Sequence, residues 1–327
     1  MLDLAPQAEV ASDEAFFAPI GRDQFVTDFW GRRPVRLPGW QTRFATLYSL
    51  DAFQRDLVGA VSPDRPRAPP PLLKAVHNRD GGGAVFHPPA NLAMALFDGG
   101  MTLCASGLEA HDARLSHALD WLKGQLKFAG KAEINAYYSP EGEGFAWHYD
   151  CQHVFILQIA GSKRWEFSEE PGVHSPPLAI ALNVASAPQG SAAARLAGLD
   201  IRLPADLEIH EGRLNPGDAL YLPPGVWHRA FADTYSFALT LTLQPLSLAQ
   251  VLRSVVTLLA NTDVVGRRDL HRGTTDPRQG LGSEYDSASN AFLSNLWTKL
   301  AKMDAADLVK LYGELQQEEL LQRLADA

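Results

Sequence analysis

The sequence predicts an α+β fold in which a core of short antiparallel strands lies between two helical regions. Apolar residues recur at helical spacing before residue 128, alternate with polar residues from about 132 to 245, and return to helical spacing afterwards. No helical pattern separates the strands, which favours a barrel or a sandwich over a doubly wound sheet. We therefore expect a mixed helical and extended region at 1–112, a strand core at 113–245 and a helical region at 246–327.

Composition narrows the class of protein. The 327 residues are 46% hydrophobic and 20% charged, which is ordinary for a soluble globular enzyme. A formal net charge of -9 argues against a general nucleic-acid binder. The two cysteines, Cys104 and Cys151, exclude a disulfide framework and fit a reducing cytosol. No apolar run approaches the ~18 residues that span a bilayer, so we expect a cytoplasmic protein without membrane contact.

The first region is expected to be mixed and mostly helical over 1–60, and it ends in extended, Pro-punctuated chain. The Pro-rich stretch 62–73 cannot continue a helix. Three consecutive glycines mark 78–89 as a loop, and "LSHALDWLKGQLKF" (115–128) has the spacing of a helix.

Alternating patterns predict the strands of the core, and turn residues separate them. These strands are 132–139, 153–160, 163–167, 218–223 and 236–245. The stretch 168–212 resembles an insertion of the kind that often forms a lid.

Three helices are predicted after Pro245. Ser247 is a suitable N-cap for the first, and Asp304 for the third. A polar loop with four arginines (265–287) follows the first helix, and the second carries Leu293 to Leu300. These helices either wrap around the core or form an oligomer contact.

A candidate metal site begins in "GFAWHYDCQHVF". His148 and Asp150 are two residues apart, so on a strand their side chains share one face. A third donor, His228, ends "NPGDALYLPPGVWH", where Pro224 and Gly225 suit the centre of a type II turn. Two histidines and one carboxylate with open positions form the facial triad of non-haem Fe(II) oxygenases. A lone H-x-D pair occurs by chance in many proteins, but the coupling of these segments favours metal binding.

Lys163 is the next candidate. A two-residue hairpin at Gly161-Ser162 would pair Ala160 with Lys163. An inward lysine would need an anion, such as the carboxylate of a cosubstrate. The ten residues from Asp150 to Ala160 would extend roughly 33 Å, so the chain must bend near 151–153 and strand parity alone leaves a surface lysine open.

Residues 133–245 resemble the core of the JmjC-type and cupin-like Fe(II)/2-oxoglutarate oxygenases, in particular the branch of ribosomal oxygenases. The segments that carry the resemblance are "NAYYSPEGEGFAWHYD", "FILQIAGSKRW" and "LNPGDALYLPPGVWH", with a weaker likeness in "FWGRRPVRLPG". The resemblance implies a double-stranded β-helix, with helical elements before it and an all-helical region after it.

The resemblance also implies roles for individual residues. The iron ligands fall on His148, Asp150 and His228, and the lysine for the distal carboxylate of 2-oxoglutarate falls on Lys163. Tyr137 and Asn135 accompany it. These two residues alternate correctly to share a strand face, although ordinary cross-strand packing would give the same pattern.

Two positions depart from the family pattern. The family often has Asp where this chain has His153, and "S-x-H-L-T" where this chain has residues 236–240. We do not expect His153 to be a fourth ligand. A surface position, or one beside the ligands, fits it better.

The expected activity is hydroxylation of a C–H bond in a protein or peptide side chain, with Fe(II) and 2-oxoglutarate. The alternatives are a 2-oxoglutarate oxygenase of a small molecule or peptide natural product, a metal-dependent cupin isomerase or hydrolase, and a non-catalytic scaffold. In the ribosomal branch a helical dimerisation region precedes a winged-helix module. Residues 246–327 leave room for the helices, so a homodimer is expected.

Overall fold

The computed structural model describes residues 16–59, 72–77, 84–182, 200–267 and 283–325. The chain divides into two compact units, Met1–Pro245 and Leu246–Ala327. In the described ranges the helices and strands are, in chain order, α1 (Arg22–Asp28), β1 (Val35–Leu37), α2 (Leu50–Gly59), β2 (Leu72–His77), β3 (Ala84–Phe86), α3 (Ala93–Asp98), β4 (Thr102–Ser106), α4 (Ala113–Leu126), β5 (Lys131–Ser139), β6 (Gly144–Tyr149), β7 (His153–Ser168), β8 (Ile180–Ala181), β9 (Ile209–Leu214), β10 (Ala219–Leu222), β11 (His228–Gln244), α5 (Leu248–Asn261), α6 (Ser283–Leu300) and α7 (Ala305–Ala325).

Two long antiparallel strands, β7 and β11, organise the first unit. The first half of β7 (153–161) pairs with the second half of β11 (236–243) in one layer, whose strand order is β1-β10-β7-β11-β5-β4-β2-β3. The second half of β7 (163–167) pairs with the first half of β11 (228–232) in a second layer. This layer adds β9 beside β7, and β6 and β8 beside β11. Two layers that share long bent strands form a double-stranded β-helix. The predicted fold class is confirmed.

The chain passes from one layer to the other at Gly161, where the predicted hairpin is wrong. β7 runs through Gly161 and Ser162 without reversing, and Gly161 pairs with Ser236 on β11. Gly161 has a φ of 62°, and a Cβ there would lie 1.8 Å from the carbonyl oxygen of Tyr235. A left-handed residue without a side chain bends the strand here instead of closing a turn.

The side chains of β7 alternate between two environments. His153 and Phe155 face an aromatic core that includes Phe25 of α1. Val154 and Ile156 point the other way and line a cavity between the layers. Because the strand is buried on both faces, its first half is a nearly continuous apolar run.

The predicted helices form, and both predicted N-caps are present. A further cap starts α4, where the Asp112 side chain accepts a hydrogen bond from the backbone N–H of Arg114. Ser247 and Gln250 form a capping box at the start of α5. Asp304 accepts a hydrogen bond from the N–H of Asp307 at the start of α7.

Three short strands lie in segments that the sequence predicts to be loops. β3 lies inside the predicted loop 78–89 and pairs with β2. β8 lies inside the predicted insertion 168–212, and β9 begins inside it. β3 and β8 have only three and two residues, too few to show a period. Residues 183–199 of the predicted lid and 268–282 of the arginine loop lie outside the described residues. Among the described helices, none is long and apolar enough to span a membrane.

Candidate metal and cosubstrate site

Strand pairing brings the predicted metal ligands together. His148 on β6 lies directly opposite His228 on β11, and their ring centroids are 4.1 Å apart. Asp150 follows the end of β6, and its Oδ2 is 3.6 Å from Nε2 of His228. One ligand atom from each of the three residues lies within 4.8 Å of the other two. Three side chains that are up to 80 residues apart in sequence therefore converge on one point.

A tight turn fixes the geometry between Asp150 and His228. Val226 N–H donates to the carbonyl of Pro223 (3.3 Å), and Gly225 at the third position of the turn has a φ of 83°, as the predicted type II turn requires. Gly225 N–H donates to the backbone carbonyl of Asp150 (2.8 Å). The turn thus ties the segment that carries Asp150 to the segment that carries His228.

Both histidines are oriented by hydrogen bonds to backbone carbonyls. Nδ1 of His148 donates to the carbonyl of Ala146 (2.7 Å), and Nδ1 of His228 donates to the carbonyl of Val226 (2.9 Å). Since a carbonyl only accepts, the proton of each neutral ring lies on Nδ1 and the Nε2 lone pair stays available. Metal-binding histidines usually have this arrangement.

The protonation of His228 also suits a metal ligand. Burial and, to a lesser extent, the neighbouring His148 lower the pKa of His228, against the opposing effects of Asp150 and of the hydrogen bond to Val226, to about 4. His228 is therefore neutral at pH 7. Two imidazole nitrogens and a carboxylate oxygen are a donor set that fits divalent iron, so the residues present fit the implied metal.

Lys163 is buried in the same part of the barrel. Its side chain is 4% exposed, and Nζ donates to Oγ of Ser139 (3.1 Å) and lies 5.7 Å from the ring centroid of Phe145. Burial lowers the pKa of Lys163 to about 8, so the side chain is still mainly an ammonium at neutral pH. A buried ammonium has three donors, and an anion would satisfy those that Ser139 does not.

One cavity of about 100 Å³ joins the triad to Lys163. One water molecule needs ~10–15 Å³ of cavity volume, so this cavity has room for a small molecule of roughly ten heavy atoms. The lining side chains come from β5, β6, β7 and β11: Tyr137, Phe145, His148, Asp150, Val154, Ile156, Lys163, Trp165, His228, Ala230, Ala238 and Thr240.

The structure separates Tyr137 from Asn135. Tyr137 lines the cavity, meets the ring of Phe145 edge-on at 5.7 Å, and has a pKa that burial raises. Asn135 lies on the same face of β5, opposite Thr240, and is 7% exposed, but it is not among the residues that line the cavity. Among the described residues its Oδ1 has no hydrogen-bond partner.

His153 points away from the cavity. Its ring stacks on Trp30 with centroids 3.9 Å apart, and its Nδ1 is hydrogen-bonded to the hydroxyl of Tyr221 (2.8 Å). The residue is 8% exposed, so the expected position at the surface or beside the ligands is wrong. Val154 and Ile156 keep the strand parity of His148 and Asp150 and line the same cavity. His153 has the opposite parity, so it faces the aromatic core.

Sequence reasoning missed three residues that take part in this site. Ser139 contacts Lys163, and Phe145 and Trp165 line the cavity. Two of them could have been found from the strand period, because residues two apart share a face. Ser139 is two residues from Tyr137 on β5, and Trp165 is two residues from Lys163 on β7. Phe145 has odd parity relative to His148 and gave no such signal.

Comparisons with known proteins agree with this geometry. Residues 113–251 match the family model of the JmjC domain. The uncharacterized protein YxbC of Bacillus subtilis is 24% identical over 238 residues, which are 70% of this chain and 69% of that protein. Ribosomal oxygenase 1 of Homo sapiens is 28% identical over 307 residues, which are 89% of this chain but only 44% of the relative.

A solved structure shares the fold. The ribosomal oxygenase YcfD from Escherichia coli, in complex with cobalt and 2-oxoglutarate, superposes with a TM-score of 0.57 at 17% identity, over 89% of this chain and 68% of that one. The likeness covers the β-helix and bears out the fold. The segment that carries the three candidate metal ligands, residues 113–251, is thus similar to the JmjC domain family.

Proposed function

We propose that this protein is an Fe(II)- and 2-oxoglutarate-dependent oxygenase that hydroxylates a carbon of a protein or peptide side chain. One observation carries the proposal: a single cavity holds three convergent metal-ligand atoms and a buried ammonium. A metal site alone would serve many reactions. The cation in the same cavity selects an anionic cosubstrate.

The chain's own residues divide the work. His148, Asp150 and His228 would hold Fe(II), and Lys163 would bind the distal carboxylate of 2-oxoglutarate. Iron and 2-oxoglutarate together supply the oxidising equivalent for C–H hydroxylation. The apolar walls, among them Val154 and Ile156, exclude water, and this strengthens the electrostatic contacts inside the cavity.

Tyr137 and Asn135 take lesser parts in the proposal. Tyr137 lines the cavity and presents a hydroxyl that burial keeps protonated, so it can donate to the cosubstrate. Asn135 is proposed to support it from the adjacent position on the same strand face.

The substrate class rests on the relatives. Ribosomal oxygenase 1 and YcfD are both named for action on the ribosome, so we propose a protein side chain as the target. This chain spans less than half of the human relative, so the target protein has to be identified by experiment.

The test measures succinate formed from 2-oxoglutarate with Fe(II) and ascorbate, with and without a ribosome-enriched lysate. Products with one added oxygen are then sought by mass spectrometry. We expect His228→Ala to lose both metal and turnover. Lys163→Ala should keep its metal and lose more than about tenfold in turnover, since a charged hydrogen bond is removed.

Arg164→Ala is the matched control, because Arg164 is the neighbouring cation on β7 and is exposed. It should turn over 2-oxoglutarate like the unaltered protein. A cupin isomerase or hydrolase would bind the metal but show no dependence on 2-oxoglutarate, and a scaffold protein would form no succinate at all. Either result would refute the proposal.

We also propose a homodimer through the helical region 246–327, with 113–245 as the catalytic core and 1–112 packed on it. The helical unit has an apolar groove between α5 and α6, and Trp297 and Leu293 in it are 73% and 56% exposed. Both cysteines are free thiols, which supports the proposed cytoplasmic location.

A further inference from the structure

The side chains of β7 that face the cavity change parity along the strand. Val154 and Ile156 line the cavity from the first half of β7, and Lys163 and Trp165 line it from the second half. Residues on one face of a regular strand are an even number of positions apart, but Ile156 and Lys163 are seven apart. One extra residue between them must therefore reverse the alternation.

The pairing of β7 with β11 locates this extra residue. Gln158 and Ala160 lie opposite two consecutive residues of β11 (237–238), so Ile159 is the extra residue of a β-bulge. A one-residue bulge moves every following side chain to the other face of the strand. Ala160 accordingly packs against the aromatic core, and Lys163 points into the cavity.

The side chain of Gln158 spans the bulge. It is fully buried, and its Nε2 donates to the carbonyl oxygen of Ala160 (2.8 Å) and to Oγ of Ser236 on β11 (3.0 Å). A longer contact (3.3 Å) reaches the carbonyl oxygen of Gly161. Since carbonyl oxygens only accept, the nitrogen end of the amide faces them. These contacts tie the residues after the bulge to the opposite strand.

We infer that Gln158 is a positioning residue: its amide nitrogen holds the bulge of β7 at Ile159, and this bulge directs Lys163 into the cavity. The inference rests on the proposed function for the role of Lys163. Gln158 is not among the residues that line the cavity, so it acts through Lys163 and does not touch the cosubstrate. Without the bulge, strand alternation would turn Lys163 outward and the exposed Arg164 inward.

The first test measures the position of Lys163 without a ligand. Gln158→Met keeps the length of the side chain and removes the amide. The amide oxygen has no hydrogen-bond partner among the described residues, so only the contacts of the nitrogen are lost. Brief acetylation followed by peptide mass spectrometry measures the reactivity of each lysine. In the unaltered protein Lys163 should react far more slowly than the exposed Lys131. In Gln158→Met the rate at Lys163 should rise roughly tenfold to a hundredfold, as expected when a buried amide loses its hydrogen bonds and the strand opens locally.

Gln24→Met is the matched control, because it makes the same chemical change at an exposed position of α1. Lys163 should stay protected in this variant. Zinc affinity, measured by chelator competition, should be unchanged in both variants and shows that the barrel is intact. If Gln158→Met does not retain zinc, Ser236→Ala takes its place, since it removes one acceptor of the same amide. Protection of Lys163 equal to that in the unaltered protein would overturn the inference and leave the proposed function standing.

A double-mutant cycle tests whether Gln158 acts through Lys163. Each protein is loaded with zinc, which fills the site without turnover, and its dissociation constant for 2-oxoglutarate is measured by calorimetry. Gln158→Met should raise the constant by about tenfold or more in the unaltered background. In the Lys163→Ala background the same substitution should change it by less than about twofold, because the residue through which it acts is gone.

An equal factor in both backgrounds would overturn the inference, since the effect would then bypass Lys163. If the unaltered zinc protein does not bind 2-oxoglutarate, the proposed function fails. The acetylation rates still decide whether Gln158 sets the position of Lys163, so the two failures are distinguishable.

Discussion

Lys163 is a charged side chain in a buried position. Its side chain is 4% exposed and Ser139 accepts one of its hydrogen bonds, so the ammonium loses hydration that one hydroxyl does not replace. This is the physical cause of its lowered pKa of about 8. A bound carboxylate would restore the lost interaction and raise the pKa again.

The affinity for 2-oxoglutarate should therefore depend on pH. Below about pH 8 the free protein already holds the charged lysine, and binding is at its strongest. Above that value Lys163 must take up a proton on binding, so the affinity should fall by up to about tenfold per pH unit. Calorimetric titrations from pH 7 to 9.5 measure this.

Lys163→Arg provides the control, because a guanidinium stays charged throughout this range. Its affinity should be flat above pH 8. The other titratable groups near Lys163 are Cys104, whose pKa burial raises to about 12, and Tyr137, whose pKa burial also raises. A slope that persists in Lys163→Arg would assign the effect to another group.

His153 shows the same conflict on the opposite face of β7. Gly31 N–H donates to the hydroxyl of Tyr221, and Nδ1 of His153 is hydrogen-bonded to the same hydroxyl (2.8 Å). Burial lowers the pKa of His153 to about 4, which keeps the ring neutral in the folded protein.

The metal-free protein should lose stability as the pH falls from about 6.5 to about 4. The unfolded chain binds a proton at its normal pKa of 6.5 and the folded chain does not, so the free energy of unfolding decreases through that window. From pH 7 to pH 5 the His153 contribution is about 2 kcal/mol. Urea unfolding at the two pH values measures it.

His153→Phe keeps an aromatic ring against Trp30 and removes the ionisable group. Its loss of stability between pH 7 and pH 5 should be smaller than that of the unaltered protein by that amount. The buried His228 contributes equally to both proteins and cancels in the comparison. If both proteins lose the same stability between pH 7 and pH 5, the neutral, buried state of His153 is contradicted.

At the scale of elements, the antiparallel register of β6 and β11 places His148 opposite His228. The turn Pro223–Val226 sets the first residue of β11 and therefore sets that register. Gly225 has no room for a side chain, since a Cβ would lie 1.8 Å from the carbonyl oxygen of Val173. The metal site thus depends on a backbone conformation that only glycine adopts without strain.

Gly225→Ala should therefore weaken metal binding by more than about tenfold and lower the free energy of unfolding by about 2 kcal/mol or more. Chelator competition and urea unfolding measure the two effects. Gly124→Ala in α4 is the matched control, because a Cβ there meets nothing within 4 Å. It should keep the metal affinity and gain about 0.5–1 kcal/mol, as alanine does in a helix interior. Equal metal affinity in both variants would show that metal binding does not depend on the turn conformation at Gly225.

Elements were predictable from the sequence where an apolar run or a capping residue marks them. The apolar run 153–160 ends at a glycine and is strand, and the Ser247 cap starts α5 where predicted. Gly161-Ser162 was misassigned because a left-handed glycine is common both to hairpins and to strand bends. Only the partner of Gly161, Ser236 on β11, distinguishes the two.

At the scale of the whole chain, periodicity predicts the order of the helical and strand regions but not which side chains meet. The change from alternating to helical period near Pro245 coincides with the boundary between the two compact units. The convergence of Asp150 with His228 depends on pairing between distant strands, which no local pattern encodes. The resemblance to a known family supplied that information for the three metal ligands.

The proposed homodimer is testable on the full chain. Trp297 and Leu293 expose apolar surface on α6 that a second copy would cover, since large exposed apolar patches mark interfaces. Leu293→Asp should shift the protein from dimer to monomer in light scattering coupled to size exclusion, because the carboxylate would be buried without a partner. Asn295→Asp, at an exposed position of the same helix outside the groove, should stay dimeric. A monomeric unaltered protein at micromolar concentration, or a dimer that survives Leu293→Asp, would rule out this groove as the dimer interface.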